Sequence, residues 1–72
     1  MPIVSIAVAR GRDADTLRRC LGAVHDAVRD SLGVADAQVR VLLTEVEPVN
    51  WSSGGVTLAE RSAVDADNRP GV

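Results

Sequence analysis

The 72-residue chain contains no phenylalanine, no tyrosine and no lysine, and only one tryptophan, one cysteine and one histidine. Without aromatic bulk, the core has to be built from Val, Leu, Ile and Ala. A single cysteine, Cys20, excludes an internal disulfide, and Cys20 with His25 is too small a set for a structural zinc site. A domain of this size buries only about 60% of the surface its unfolded chain exposes, so it usually needs a staple or a partner. With disulfide and metal gone, association with further copies is the remedy left open. The absence of lysine means that all eight basic residues are arginines, permanently charged planar forks suited to carboxylates. A net charge of −2 points to no nucleic-acid or membrane surface. No long apolar run and no charged leader pattern occurs, so the expected location is cytoplasmic, with Cys20 reduced.

What is present has a clear order. Pro2 to Ala9 is β-branched and almost continuously apolar, the pattern of a strand covered on both faces. Arg10-Gly11-Arg12 breaks it, Asp13 is placed to cap a helix, and Asp15 adds negative charge to the first turn. Leu17, Leu21, Val24, Val28 and Leu32 then fall on one helical stripe about 80° wide, with Arg19, Asp26 and Asp30 opposite. Gly33 stands where a left-handed C-cap belongs. The connector 34–38 leads to a second strand over Val39–Val46. Strand, long helix and strand form a β-α-β unit, so the strands should run parallel. Turn chemistry fills Glu47 to Gly55, and Val56-Thr57-Leu58 offers a further short strand. The expected fold class is α+β, with the domain over 2–62 and a flexible C-terminal tail over 63–72. Two strands and one helix leave a sheet face and both edges open, which predicts a homo-oligomer with sheets extended between subunits.

Pro2 is the most informative residue for chemistry. Initiator methionine is normally removed ahead of so small a residue, which would leave a secondary amine at the start of the chain. Such an amine works as a base near neutral pH when nearby cations and an apolar wall disfavour its charged form. The plain alternative is a proline that merely starts an edge strand. Arg12, just before the helix, and Arg40, the charged residue in an otherwise apolar strand, are either solvated or a pair that grips an anionic substrate. Trp51, in the turn segment, is an interface anchor or a pocket wall. His25 flanks the apolar stripe as a partly buried helix residue, Cys20 is a small buried hydrophobe on its other border, and Glu45 and Glu47 are solvated strand-end charges. No catalytic triad, phosphate loop or metal spacing occurs.

Pro2-Ile3 opening the first strand, Gly11-Arg12 before the helix, Val39-Arg40-Val41 with Thr44-Glu45 in the second strand, and Trp51 ahead of Gly54-Gly55 together resemble the 4-oxalocrotonate tautomerase family over residues 2 to 62. The resemblance implies a β-α-β subunit of a hexamer arranged as a trimer of dimers, with sites assembled from more than one subunit and no cofactor. It implies an isomerase in which Pro2 is the catalytic base that moves a proton. Arg12 would bind the far carboxylate, Arg40 would contact the oxygen and near carboxylate where charge develops, and Trp51 would be an apolar wall. The substrate class is a small 2-hydroxydienoate or dicarboxylate such as 2-hydroxymuconate, in aromatic-compound degradation or in secondary metabolism.

Some positions depart from that pattern. Ser52 and Ser53 stand where the family commonly has Gly-Ile, and Ala9-Arg10 replaces a frequent Leu-Glu pair, giving a roomier and more positive mouth. No carboxylate stands near Ser53, which argues against hydration or dehalogenation. Two other readings therefore stay open: a biosynthetic homologue with a different natural substrate, and a catalytically silent oligomeric scaffold subunit. Retention of Met1 would leave Pro2 as a tertiary amide without basicity.

Overall fold

A computed structural model describes residues 1–62. The proposed tail, 63–72, lies outside the described residues. Strand β1 spans Ile3–Ala9, helix α1 Ala14–Leu32 and strand β2 Arg40–Val46. A short hairpin follows, β3 at Ser52–Ser53 and β4 at Val56–Thr57. One-turn 3₁₀ segments at Asp36–Gln38 and Pro48–Asn50 sit on either side of β2, and residues 58–62 are helical. β1 and β2 pair in parallel from Ile3 opposite Arg40 to Ala9 opposite Val46, so the expected β-α-β unit is observed.

The helix ends where its capping residues place it. The Asp13 carboxylate accepts a hydrogen bond from the Thr16 amide at 3.0 Å, satisfying one of the free N–H groups of the first turn. At the other end Gly33 adopts φ 66°, and its N–H and that of Val34 both donate to the Arg29 carbonyl, at 2.9 and 3.2 Å. The β3–β4 hairpin is closed by Gly54 and Gly55 with φ of 64° and 81°, the doubly left-handed turn whose twist suits two antiparallel strands.

Packing explains a difference from the sequence reading. α1 lies against one face of the sheet, where Val4, Ile6, Val8, Val41 and Leu43 are half-buried beneath Leu17, Leu21, Val24 and Val28. β1 is therefore covered on one face within the chain, not on both. The other face presents Ile3 and Leu42, 63% and 56% exposed, with Ser5, Ala7 and Thr44 between them. Leu32, expected on the covered stripe, is the last helical residue and is 60% exposed. Cys20 is half-buried, not buried. Among the described residues Val39, at 7% exposure, is the one buried apolar side chain. A core this thin leaves a large apolar area to be covered from outside.

Candidate functional site

The parallel pairing decides which candidate residues meet. Pro2 precedes β1 and Arg40 opens β2, so both stand at the same end of the sheet, and the Arg40 amide donates to the Pro2 carbonyl at 3.0 Å. Arg40 shares the exposed sheet face with Ile3, its register partner. Its guanidinium donates to the Ala37 carbonyl of the preceding 3₁₀ turn.

Arg12 and Trp51 follow the opposite ends of the two strands. Six residue steps of about 3.3 Å separate Ile3 from Ala9, so roughly 20 Å of strand lies between Pro2 and the loop that carries Arg12. Arg12 is exposed and donates to the Ala9 carbonyl at 3.2 Å. Trp51 is half-buried after the second 3₁₀ turn, and its carbonyl accepts from the Leu58 amide at 2.8 Å. The hairpin is held further by Arg61, which donates to the Ser53 carbonyl at 2.9 Å. One chain thus joins Pro2 with Arg40, but leaves Arg12 beyond the far end of β1.

The far end also differs electrostatically from expectation. Glu45 and Glu47 are not free strand-end charges, for Arg10 bridges them: its NH1 lies 3.0 Å from Glu45 and its Nε contacts Glu47. The register places Glu45 opposite Val8 and Val46 opposite Ala9, and the Arg10 amide donates to the Val46 carbonyl at 2.9 Å. This arrangement draws the three side chains together. Arg10 therefore adds no net positive charge to the mouth, because two carboxylates surround one guanidinium.

A second cluster joins α1 to the connector. One oxygen of Asp36 contacts His25 Nε2 and Arg29 NH1, each at 2.9 Å. Arg29 also contacts Asp30 at 2.9 Å and Asp26 at 3.5 Å. The hydrogen bond from His25, then that from Arg29, holds the Asp36 carboxyl below its ordinary value, and Arg29 does the same for Asp30. The sequence reading placed His25 correctly at the edge of the apolar stripe but missed this partnership. The available signal was an acid at the start of a short turn closing back on the helix.

A groove of about 550 Å³ runs along α1, lined by Arg18, Leu21, Gly22, His25, Asp26 and Val41. It contains none of Pro2, Arg12, Arg40 or Trp51. Among the described residues no group of three or more His, Cys, Asp or Glu side chains is placed to hold a metal ion, and no described helix is long and apolar enough to cross a membrane.

The parallel β-α-β unit with its small antiparallel hairpin is a tautomerase-like subunit in fold. Residues 2–61 match the family model described as tautomerase enzyme. A probable tautomerase of Lactiplantibacillus plantarum is 33% identical over 88% of this chain and 98% of its own length. Among solved structures, a 4-oxalocrotonate tautomerase isozyme of Methylibium petroleiphilum superposes with a TM-score of 0.84 at 33% identity, covering 88% of this chain and 98% of that one. A heterohexameric 4-oxalocrotonate tautomerase of Chloroflexus aurantiacus gives a TM-score of 0.79 at 30% identity over 83% of this chain and 97% of that one. The chain belongs to the 4-oxalocrotonate tautomerase family of the tautomerase superfamily.

Proposed function

We propose that the protein is a proline-dependent keto–enol tautomerase acting on a small 2-hydroxydienoate or dicarboxylate such as 2-hydroxymuconate. The observation that carries this reading is the 3.0 Å contact between the Arg40 amide and the Pro2 carbonyl, which puts a permanent cation at the same end of the sheet as the candidate amine. A cation there opposes protonation of that amine and favours its basic form. The reading requires removal of Met1, which frees the nitrogen of Pro2.

In this mechanism the Pro2 nitrogen takes the proton from the 2-hydroxyl group. The oxygen's electrons form the carbonyl, the conjugated π electrons shift outward, and a distal carbon receives the proton from the same amine. Arg40 stabilises negative charge developing on the oxygen and near carboxylate, while Arg12 holds the far carboxylate and draws electron density toward it. Trp51, which like Arg12 stands at the far end of the strands and so reaches the amine from a neighbouring copy, supplies an apolar wall that keeps the amine neutral. No electron acceptor or metal takes part in such a transfer.

Assembly belongs to the same proposal. The free edge of β1 and the apolar face around Ile3 and Leu42 support pairing with further copies. An antiparallel copy along β1 would set Pro2 of one chain against the Arg12 end of its neighbour, removing the roughly 20 Å separation set by strand length. A hexamer is the proposed state, as stated for the Chloroflexus aurantiacus neighbour.

Pro2→Ala tests the chemistry. Ketonisation of 2-hydroxymuconate should fall by about a hundredfold or more, the usual contribution of a positioned general base, with circular dichroism unchanged. Unchanged turnover would remove the mechanism. Intact mass measurement on protein from its own host should show loss of Met1; retention would do equal damage, because the amide nitrogen is not basic.

A further inference from the structure

Arg40 is given its place by a turn that is itself tied to the helix. Its guanidinium donates to the Ala37 carbonyl, and Ala37 is the middle residue of the one-turn segment Asp36–Gln38. So short a segment has little stability of its own. Within it, the Gln38 side chain accepts from the Ala35 amide at 3.0 Å, and the Val39 amide donates to the Asp36 carbonyl at 3.2 Å. These bonds shape the turn locally. The side-chain ties that fix it to the rest of the molecule are the two 2.9 Å contacts from Asp36 to His25 and Arg29 on α1.

We propose that Asp36 is a positioning residue for Arg40: by anchoring the 36–38 turn to His25 and Arg29, it aims the Ala37 carbonyl that orients the Arg40 guanidinium. The inference rests on the tautomerase reading of Arg40. Arg29 is the firmer of the two anchors, since Asp30 and Asp26 hold it from its other side. With Asp36 ionised, as its lowered pKa requires at neutral pH, His25 Nε2 is the donor in that pair. The chain of contacts is His25 and Arg29 to Asp36, Asp36 through one residue of backbone to Ala37, and Ala37 to Arg40. Loosening the first link widens the range of guanidinium positions without removing the charge. Orientation is where modest displacement costs rate.

The test is a double-mutant cycle on ketonisation of 2-hydroxymuconate, using the full-length assembled protein with Met1 removed. Asp36→Ala should lower kcat by about three- to tenfold, a modest loss because the ion pairs it removes are exposed. KM should change less than kcat. Asp36→Asn, which keeps an oxygen for both donors, should recover part of the loss. In an Arg40→Ala background, Asp36→Ala should cost nothing further, because the group it positions is gone. Equal loss with and without Arg40, or unchanged turnover in both Asp36 variants, overturns the positioning role. An Arg40→Ala variant that retains full turnover instead removes the tautomerase role of Arg40, a separate result. Circular dichroism and assembly size, measured on each variant, identify any loss of fold, and Asp36→Asn carries the test if Asp36→Ala fails to assemble.

Discussion

Arg10 shows how one side chain changes meaning once its neighbours are known. From sequence it adds charge beside Arg12; in the fold it is shared between Glu45 and Glu47, so the three together carry −1. Under the proposed function this balance tempers the attraction of the Arg12 end for a second carboxylate. Arg10→Ala should leave both glutamates unmasked and raise KM for a dicarboxylate by about two- to fivefold, with the increase shrinking between low and physiological salt. Steady-state kinetics at the two ionic strengths check this; a salt-independent change would point to altered packing instead. Asp13, Asp30 and Asp36 make a second prediction. All three ionise below the ordinary value of 3.8, Asp13 through the Thr16 hydroxyl and then its amide, Asp30 through Arg29, and Asp36 through His25 and then Arg29. The unfolded chain therefore binds protons that the folded chain does not, between those lowered values and 3.8. Their stabilisation is present above the ordinary value of 3.8 and is lost as the pH falls through it and the lowered values. Helical circular dichroism titrated from pH 6 to pH 2 should decline in that acid range, and less steeply in Asp36→Asn.

At the scale of elements, local chemistry and sequence agree where a signal is repeated or terminal. α1 could be read end to end because Asp13, the apolar stripe and Gly33 all mark the same 19 residues, and the hairpin because Gly54-Gly55 favours the doubly left-handed turn that few residues adopt. The 3₁₀ segments were not legible: three residues carry no periodicity. The Arg10 clamp was hidden for another reason, since it depends on the register of β1 against β2. That register is set by packing across the sheet. Coverage of β1 was overread because a continuous apolar run looks the same whether its second face meets a helix or another chain. Two substitutions separate backbone from packing effects. At Gly33 a Cβ would meet nothing within 4 Å, so Gly33→Ala should cost about 1 kcal/mol from the left-handed backbone alone, and Gly33→Asn less. Val39→Ala, at the one buried apolar position among the described residues, should cost about 2 kcal/mol through lost burial and the cavity left behind. Urea unfolding of each variant at fixed protein concentration measures both, and a cost at Gly33 above that at Val39 would reverse the argument.

For the whole molecule, stability and activity should stand or fall together, and the reason lies in the direction of the strands. Parallel pairing sends Pro2 and Arg40 to one end of the sheet and carries Arg12 past the other, so four good candidate residues on one chain do not make one site. The same chain leaves Ile3 and Leu42 open on the sheet face away from α1, and covering each is worth about 2 kcal/mol. Leu42 lies on the open face of β2 and carries no group used in the proposed chemistry, which makes it a place to test assembly. Leu42→Asp should put a charge on the face proposed to meet further copies, where it is costly to bury unpaired. Sedimentation velocity should then show a shift to smaller species, and ketonisation of 2-hydroxymuconate should drop by the same fraction as the population of the assembled form. Raising protein concentration should restore both in parallel, since mass action favours the complex. A dispersed variant that keeps full turnover would mean that one chain completes the site, against the roughly 20 Å that β1 places between Pro2 and the Arg12 loop.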